Sequence, residues 1–315
     1  MQGIITNVGC TNCSFLKVFN ITAKYFKKLY DIDLLPSIFG HGKLNIGDCL
    51  FFLKYYNIID DNLVVWCDTH FEGEVKRINK KFIVVTTSKW NAEQLARTDY
   101  ILPRPVDEEF IVHDAKHDKY EFIVVGSEPV TDLKNLKTLY PDTYIINNKA
   151  YFNRKRIRDT HNLLKQLNVR NKSLFITNVE GIYDMKATTL EESELHQKYA
   201  SSRFLLTLSR SEGFYMPMAE AMCNGTPLVY IGGHAIDEYA VGIRIKARRA
   251  KGITYFDGTE ANWIYDEKDA IDAIKYAMSM GKEEYNDLSE KARAECNKFH
   301  TTNIVRVLYK LLDFK

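Results

Sequence analysis

The chain has 315 residues, 45% of them apolar and 27% charged, and its 43 Lys+Arg against 41 Asp+Glu leave a formal net charge of +2. That balance excludes a disordered or collagen-like chain, and the bulk charge carries no footprint of nucleic-acid binding. At roughly 150 residues per domain, the length suits two domains.

Short apolar, β-branched runs predict strands over 3–8, 32–35, 63–67, 82–87 and 100–102. A second series follows over 121–126, 143–146, 173–177, 204–209 and 227–231. Amphipathic spacing predicts helices between them over 15–30, 47–56, 131–140, 154–167, 191–201 and 217–224. From Lys268 the tail reads as helices, the last over 301–314 with Thr301 or Thr302 as its cap. Strand–helix alternation at this spacing implies an α/β chain of two doubly wound domains, each with ligand sites beyond the carboxyl ends of its strands. The polar stretch 111–119, after Pro103 and Pro105, is the expected boundary. It separates a domain over 1–115 from a second domain over 116–300, with the final helix 301–315 able to pack back on the first.

No apolar run approaches the roughly 20 residues of a membrane span. The start MQGIITNVGCTNCSF lacks the basic and apolar regions of a signal peptide, so a cytoplasmic chain is expected. The basic run 244–251, RIKARRAK, offers a peripheral contact to phosphates or an anionic membrane, and a solvated charged face is the alternative. Six cysteines, at 10, 13, 49, 67, 223 and 296, are too sparse for a disulfide scaffold. Cys10 and Cys13 have CxxC spacing, but nothing completes four zinc ligands, so structural or incidental thiols are expected. Asp31 and Asp33 form a DxD that follows a basic helix end, and they read as a helix terminus with no metal.

The stretch 204–231, FLLTLSRSEGFYMPMAEAMCNGTPLVYI, carries the chemistry. A buried strand runs into a Gly-containing loop, and Pro217 suits the first turn of the next helix. Gly225 suits its C-terminal cap, and Pro227 opens the following strand. A helix N-terminus at a strand's carboxyl end favours an anion such as a phosphate. Glu212 and Glu220 frame this turn as acceptors for sugar or ribose hydroxyls, and Gly213 permits close backbone approach.

This segment resembles the signature of the retaining GT-B glycosyltransferases of the glycosyl transferases group 1 family. Ser209, Glu212, Gly213, Phe214, Pro217, Glu220, Ala221, Met222, Gly225 and Pro227 match it in register, and Tyr215 replaces a usual Gly. Upstream, 168–179, 194–202, 122–126, 86–95 and 101–110 resemble further family segments. The resemblance implies a GT-B fold, two Rossmann-like domains facing a cleft, and sugar transfer from a nucleoside diphosphate sugar with retention. It makes Glu212 and His70 the catalytic candidates. Gly213, Phe214 and Tyr215 fall on the donor sugar, Glu220 on the ribose, and Asn178 and Val179 near the base. Asp68 and Gly9 fall on the acceptor side.

The family's Gly-Arg and following Lys, which clamp the donor diphosphate, are replaced here by Gly126-Ser127 and Asp132. Ser127 and Lys134 take their places in the donor set, with Arg210, Lys149 and Arg154 as further cations. The resemblance implies no cofactor and no essential metal beyond the nucleotide sugar, and an acceptor that is a glycan, a lipid or a protein. A sugar-nucleotide epimerase, a non-catalytic nucleotide- or glycan-binding protein on the same fold, and an interaction protein are the alternatives.

Overall fold

The computed structural model describes residues 3–8, 14–37, 43–48, 64–69, 83–95, 98–135, 142–254 and 259–312. The chain divides into two compact units: Met1–Glu109 with Glu212–Met216 and Asn297–Lys315, and Phe110–Ser211 with Pro217–Cys296.

In the first unit, β1 (Gly3–Val8), α1 (Ser14–Tyr30), β2 (Asp33–Ser37), β3 (Leu44–Asp48), β4 (Val64–Asp68), β5 (Ile83–Thr86), α2 (Lys89–Leu95) and β6 (Tyr100–Ile101) follow in order. The strands form one parallel sheet ordered β2-β1-β3-β4-β5-β6. Phe26, Leu44, Ile46, Trp66, Val84 and Val85 are fully buried in it, where β-branched and aromatic side chains suit a sheet covered on both faces. Gly47 and Asp48 end β3, so the helix expected from 47 does not begin there. The rest of that expected helix, 49–56, lies outside the described residues. Asp31 and Asp33 mark the α1–β2 turn, and both carboxylates pair with Lys27, at 2.7 and 3.0 Å.

In the second unit the main strands are β7 (Tyr120–Gly126), β11 (Ser173–Thr177), β12 (Met185–Lys186), β13 (Ser202–Thr207), β14 (Leu228–Ile231) and β15 (Gly242–Ile245). They form a parallel sheet ordered β12-β11-β7-β13-β14-β15. The strand order reverses between β7 and β13, where open α/β sheets bind their ligands. Three helices lie along this path, α3 (Ile157–Gln166), α4 (Glu192–Ala200) and α5 (Met216–Cys223).

Two additions depart from the expected pattern. An antiparallel sheet of β8 (Val130–Asp132), β9 (Thr143–Ile146) and β10 (Lys149–Phe152) stands between β7 and α3. The expected helix 131–140 therefore opens as strand followed by the short turn Leu133–Asn135, and the strand 143–146 belongs to this sheet instead of the main one. Beyond β15, the hairpin β16 (Ala247–Thr254) and β17 (Thr259–Tyr265) contains most of the basic run.

The chain ends with α6 (Glu267–Ser279), α7 (Lys282–Glu295) and α8 (Thr301–Leu311). In the first unit α8 packs on α1, with the rings of Tyr30 and Tyr309 stacked at 3.8 Å. Neither threonine caps α8 with its side chain. Thr301 Oγ1 donates to the Val106 carbonyl at 2.6 Å, and the Glu108 carboxylate accepts the Thr302 N–H at 2.7 Å. An acid at a helix N-terminus satisfies an open donor and the helix dipole together. Among the described residues no helix is long and apolar enough to cross a membrane.

Candidate active site

The signature folds as its breaks demand. β13 ends at Thr207, the loop follows, Pro217 stands in the first turn of α5, and Gly225 leaves the helix with φ +75°. Glu220 lies inside α5, 2% exposed, and its Oε2 accepts the Tyr199 hydroxyl at 2.9 Å. Glu212, Phe214 and Tyr215 are all buried. Their short segment belongs to the first unit, where Phe214 meets the Phe299 ring edge-on at 6.0 Å.

Gly213 has no room for a side chain. A Cβ there would stand 2.6–2.8 Å from the backbone O, N and C of Thr69. Only glycine allows two backbones that close.

Ser127 is exposed at the carboxyl end of β7, and Lys134 is exposed on the turn of the added sheet. Lys149 is engaged by Glu180. Instead, the run Arg154-Lys155-Arg156 returns the chain from the added sheet to the end of β7. The stem of Lys155 lies 3.7 Å from where a Gly126 Cβ would be. Arg154 Nη1 donates to the Ser211 carbonyl at 3.1 Å, and its Nε stands 3.7 Å from Glu260. Arg156 adopts φ 54° at the start of α3 and donates to the carbonyls of Leu208 (3.2 Å) and Trp263 (2.7 Å). It thereby ties the loop after β13 to β17. Burial lowers the Arg156 guanidinium from its ordinary value.

Arg210 lies in that loop and is 1% exposed. Its N–H donates to the Arg154 carbonyl and its carbonyl accepts from Trp263 N–H. Its Nη2 donates to Asp142 Oδ2 (3.1 Å) and the Asn153 carbonyl (2.8 Å), while Nε and Nη1 are buried with no acceptor. Buried donors without acceptors are costly.

Glu128 organises the floor of this region. Its carboxylate accepts the N–H groups of Lys155 (2.8 Å) and Ile157 (3.0 Å) at the start of α3. Burial pushes this carboxyl above its ordinary value, against the pull of those N–H groups and of Arg154 and Lys155. Asn178, expected near the base, commits its side chain to the backbone of Glu128 in both directions, at 2.9 and 2.8 Å. Val179 is fully buried, and its carbonyl closes the turn at Ile182.

In the first unit, Asp68 ends β4 and accepts Arg104 Nε at 3.0 Å. Its carboxylate is thus the counter-charge of a guanidinium buried against Trp66 and Phe15. His70 and Gly9 lie outside the described residues, as do Cys10 and Cys13. Among the described residues no group of three or more His, Cys, Asp or Glu could hold a metal ion.

Sequence reading named Arg154 and Arg210 among several cations and missed Lys155 and Arg156. Their signal was there, a basic run placed immediately before a helix. The 26 residues from Ser127 to Phe152 hid its return to Gly126.

No family model matches the chain. It is 33% identical over 323 residues to "Putative glycosyltransferase 48" of Sulfolobus islandicus filamentous virus, covering 100% of this chain and 97% of that protein. It is 30% identical to "Putative glycosyltransferase ORF313" of Acidianus filamentous virus 1, over 80% of this chain and 76% of that one. Among solved structures, WaaG, a glycosyltransferase involved in lipopolysaccharide biosynthesis, aligns over 100% of both chains with a TM-score of 0.59 at 10% identity. The fold is therefore that of the GT-B glycosyltransferases, and the chain belongs to the glycosyltransferase family of these viral proteins.

Proposed function

We propose that the chain transfers a hexosyl group from a nucleoside diphosphate sugar to an acceptor hydroxyl, with retention at the anomeric carbon and without a metal. The observation that carries this reading is Arg210, a buried guanidinium with open N–H groups, beside Arg154 at the carboxyl end of β13. With Lys155 beside Gly126 and the N-terminus of α5, these groups supply the positive charge a leaving diphosphate requires. Glu220 holds the ribose, and Glu212 with the amides of Gly213–Tyr215 holds the sugar hydroxyls. The bond from the anomeric carbon to the phosphate oxygen breaks as the bond to the acceptor oxygen forms. The acceptor proton passes to the departing phosphate, so no separate base is needed. His70 keeps the catalytic role that the family resemblance gives it.

Thermal unfolding against UDP, GDP, ADP, dTDP and their sugar conjugates tests the reading. A ligand at 100 times its Kd adds about 2.7 kcal/mol, or a few degrees. One base series is expected to shift the transition, and Glu220→Ala to abolish that shift. A well-folded sample that responds to no member overturns the donor reading and favours a binding or interaction protein.

The same proposal places a peripheral contact at 246–251, at and just before β16, where Lys246, Arg248 and Lys251 are exposed. Arg244 is excluded from this patch, because Asp237 holds it at 2.8 and 2.9 Å. Each surface cation adds about 1 kcal/mol at an anionic bilayer. The protein is expected to sediment with phosphatidylglycerol vesicles and not with phosphatidylcholine, and to be released by salt. Equal recovery with both vesicles means a merely solvated face.

A further inference from the structure

We infer that Asn91 is a positioning residue that fixes the peptide between Gly213 and Phe214, and with it the direction of the signature loop's amide donors. Asn91 lies in the first turn of α2 and is fully buried. Its N–H donates to Ser88 Oγ at 3.1 Å, an N-terminal cap that anchors the turn. Its side chain is used at both ends. Oδ1 accepts the Thr69 N–H at 3.0 Å. Nδ2 donates to the Gly213 carbonyl at 2.6 Å and to Thr87 Oγ1 at 2.7 Å. Thr87 Oγ1 in turn donates to the same carbonyl at 3.2 Å.

The amide can stand only one way round. A flipped side chain would set Nδ2 against the Thr69 N–H and Oδ1 against the Gly213 carbonyl, donor on donor and acceptor on acceptor. Two donors therefore converge on one carbonyl oxygen. The peptide unit is planar and trans, so fixing the Gly213 C=O fixes the Phe214 N–H in the opposite direction. The same Asn91 side chain also holds Thr69, whose backbone presses on the Gly213 Cα. Sterics and hydrogen bonding thus set one peptide plane from both sides, with Asn91 common to the two. Donors fixed in advance stabilise developing charge without reorganising.

This role rests on the glycosyltransferase reading, because the loop's amides are assigned there to the donor sugar. Asn91→Asp separates the two contacts. It keeps an oxygen for the Thr69 N–H and turns a second oxygen, in place of Nδ2, toward the Gly213 carbonyl. Thr87→Val removes the second donor to that carbonyl together with the acceptor of one Asn91 Nδ2 hydrogen, leaves Asn91's own bond to the carbonyl, and is the milder variant. Nucleotide affinity and nucleotide-sugar turnover are measured for both, with UDP-glucose, GDP-mannose, ADP-glucose and dTDP-glucose as probes and nucleoside diphosphate release as readout. In Asn91→Asp, kcat is expected to fall about 100-fold, as for loss of an oriented amide donor. Affinity for the free nucleoside diphosphate should stay within about twofold, since Arg210 and Arg154 are untouched. Thr87→Val is expected to lose about tenfold in kcat. A crystal structure of Asn91→Asp should show the Gly213 carbonyl turned away from residue 91.

A merely structural Asn91 would lower the melting temperature, affinity and turnover together, and that result overturns the proposal. So does unchanged kcat in both variants. If the wild type binds none of the four probes, the donor reading itself fails and this role falls with it, whereas wild-type binding with unchanged variants removes this role alone.

Discussion

Arg210→Met is expected to weaken nucleoside diphosphate binding by about 100-fold while raising the melting temperature of the ligand-free protein by a few degrees. The two effects have one cause. Arg210 is 1% exposed, and its single carboxylate partner, Asp142, has a side chain 59% exposed to water. An ion pair with one partner in solvent returns little energy, whereas the desolvation of a buried guanidinium costs several kcal/mol. The carbonyl of Asn153 recovers part of that cost, but Nε and Nη1 recover none. Methionine fills a similar volume with a flexible, uncharged chain. Replacing buried ionic groups by apolar ones is often stabilising by about 1–4 kcal/mol. Loss of the hydrogen bond to Asn153 removes about 1 kcal/mol of that gain. The net of a kcal/mol or two corresponds to a few degrees in a chain of this size. Under the proposed donor reading the sign reverses in the bound state, because a diphosphate would then accept charge-assisted hydrogen bonds from this guanidinium, worth about 1.5–3 kcal/mol. Thermal unfolding without ligand and titration with the responding nucleotide read the two effects separately. A variant that is less stable and binds as tightly as wild type would make Arg210 a structural residue and leave the diphosphate to Arg154 and Lys155.

Where local chemistry decides the backbone, the fold was legible. The strands 3–8 and 173–177 coincide with β1 and β11, and the Gly and Pro breaks from 213 to 227 each fall where the chain turns. The parts that were not legible depend on neighbours distant in sequence. The segment 131–140 has apolar spacing that suits a helix, yet Thr131 and Asp132 pair with β10 residues that lie well downstream. Gly47 opens an apolar run that reads as helix, whereas its pairing with Cys67 places Gly47 itself in β3. The basic run 244–251 reads as a charged surface by composition, whereas the register opposite Trp263 and Ile264 makes most of it one arm of a hairpin. The signature located the candidate site, but the cations around it come from a return of the chain that no motif records. Asn178 and Asp68 illustrate the converse, since each commits its side chain to a structural partner.

Removing the bond between Cys223 and Cys296 is expected to lower the melting temperature of the second unit by roughly 10 °C. By density the six cysteines read as too sparse for a disulfide scaffold, and the sequence assigns Cys223 and Cys296 no partner. Instead, among the described residues no cysteine is free, Cys223 is joined to Cys296, and Cys67 is also disulfide-bonded. Density alone could not reveal the pairing, because the two partners lie 73 residues apart and meet only through the fold. A loop of that length makes closure worth about 4 kcal/mol, chiefly by restricting the unfolded chain. The position raises the local effect further. Cys223 ends α5, and the next residue, Asn224, accepts the Val112 N–H at 2.8 Å and the Arg293 guanidinium at 3.2 Å. Arg293 also donates to the Val112 carbonyl, and Ser289 donates to the Gly225 carbonyl. Val112 follows the point where the chain enters the second unit, and Cys296 is where it leaves. Both passages are therefore pinned to the end of the helix that carries Glu220. In Cys223→Ser/Cys296→Ser, or after reduction by a dithiol, hydrogen exchange should rise first in 216–231 and 282–296, ahead of the β7–β13 strands. Nucleotide affinity should fall with it if the α5 N-terminus receives the diphosphate as proposed, since that helix is then held at its other end only by hydrogen bonds. If oxidised and reduced protein melt within about 2 °C of each other, the hydrogen bonds of Asn224 and Arg293 suffice and the disulfide contributes nothing to this junction.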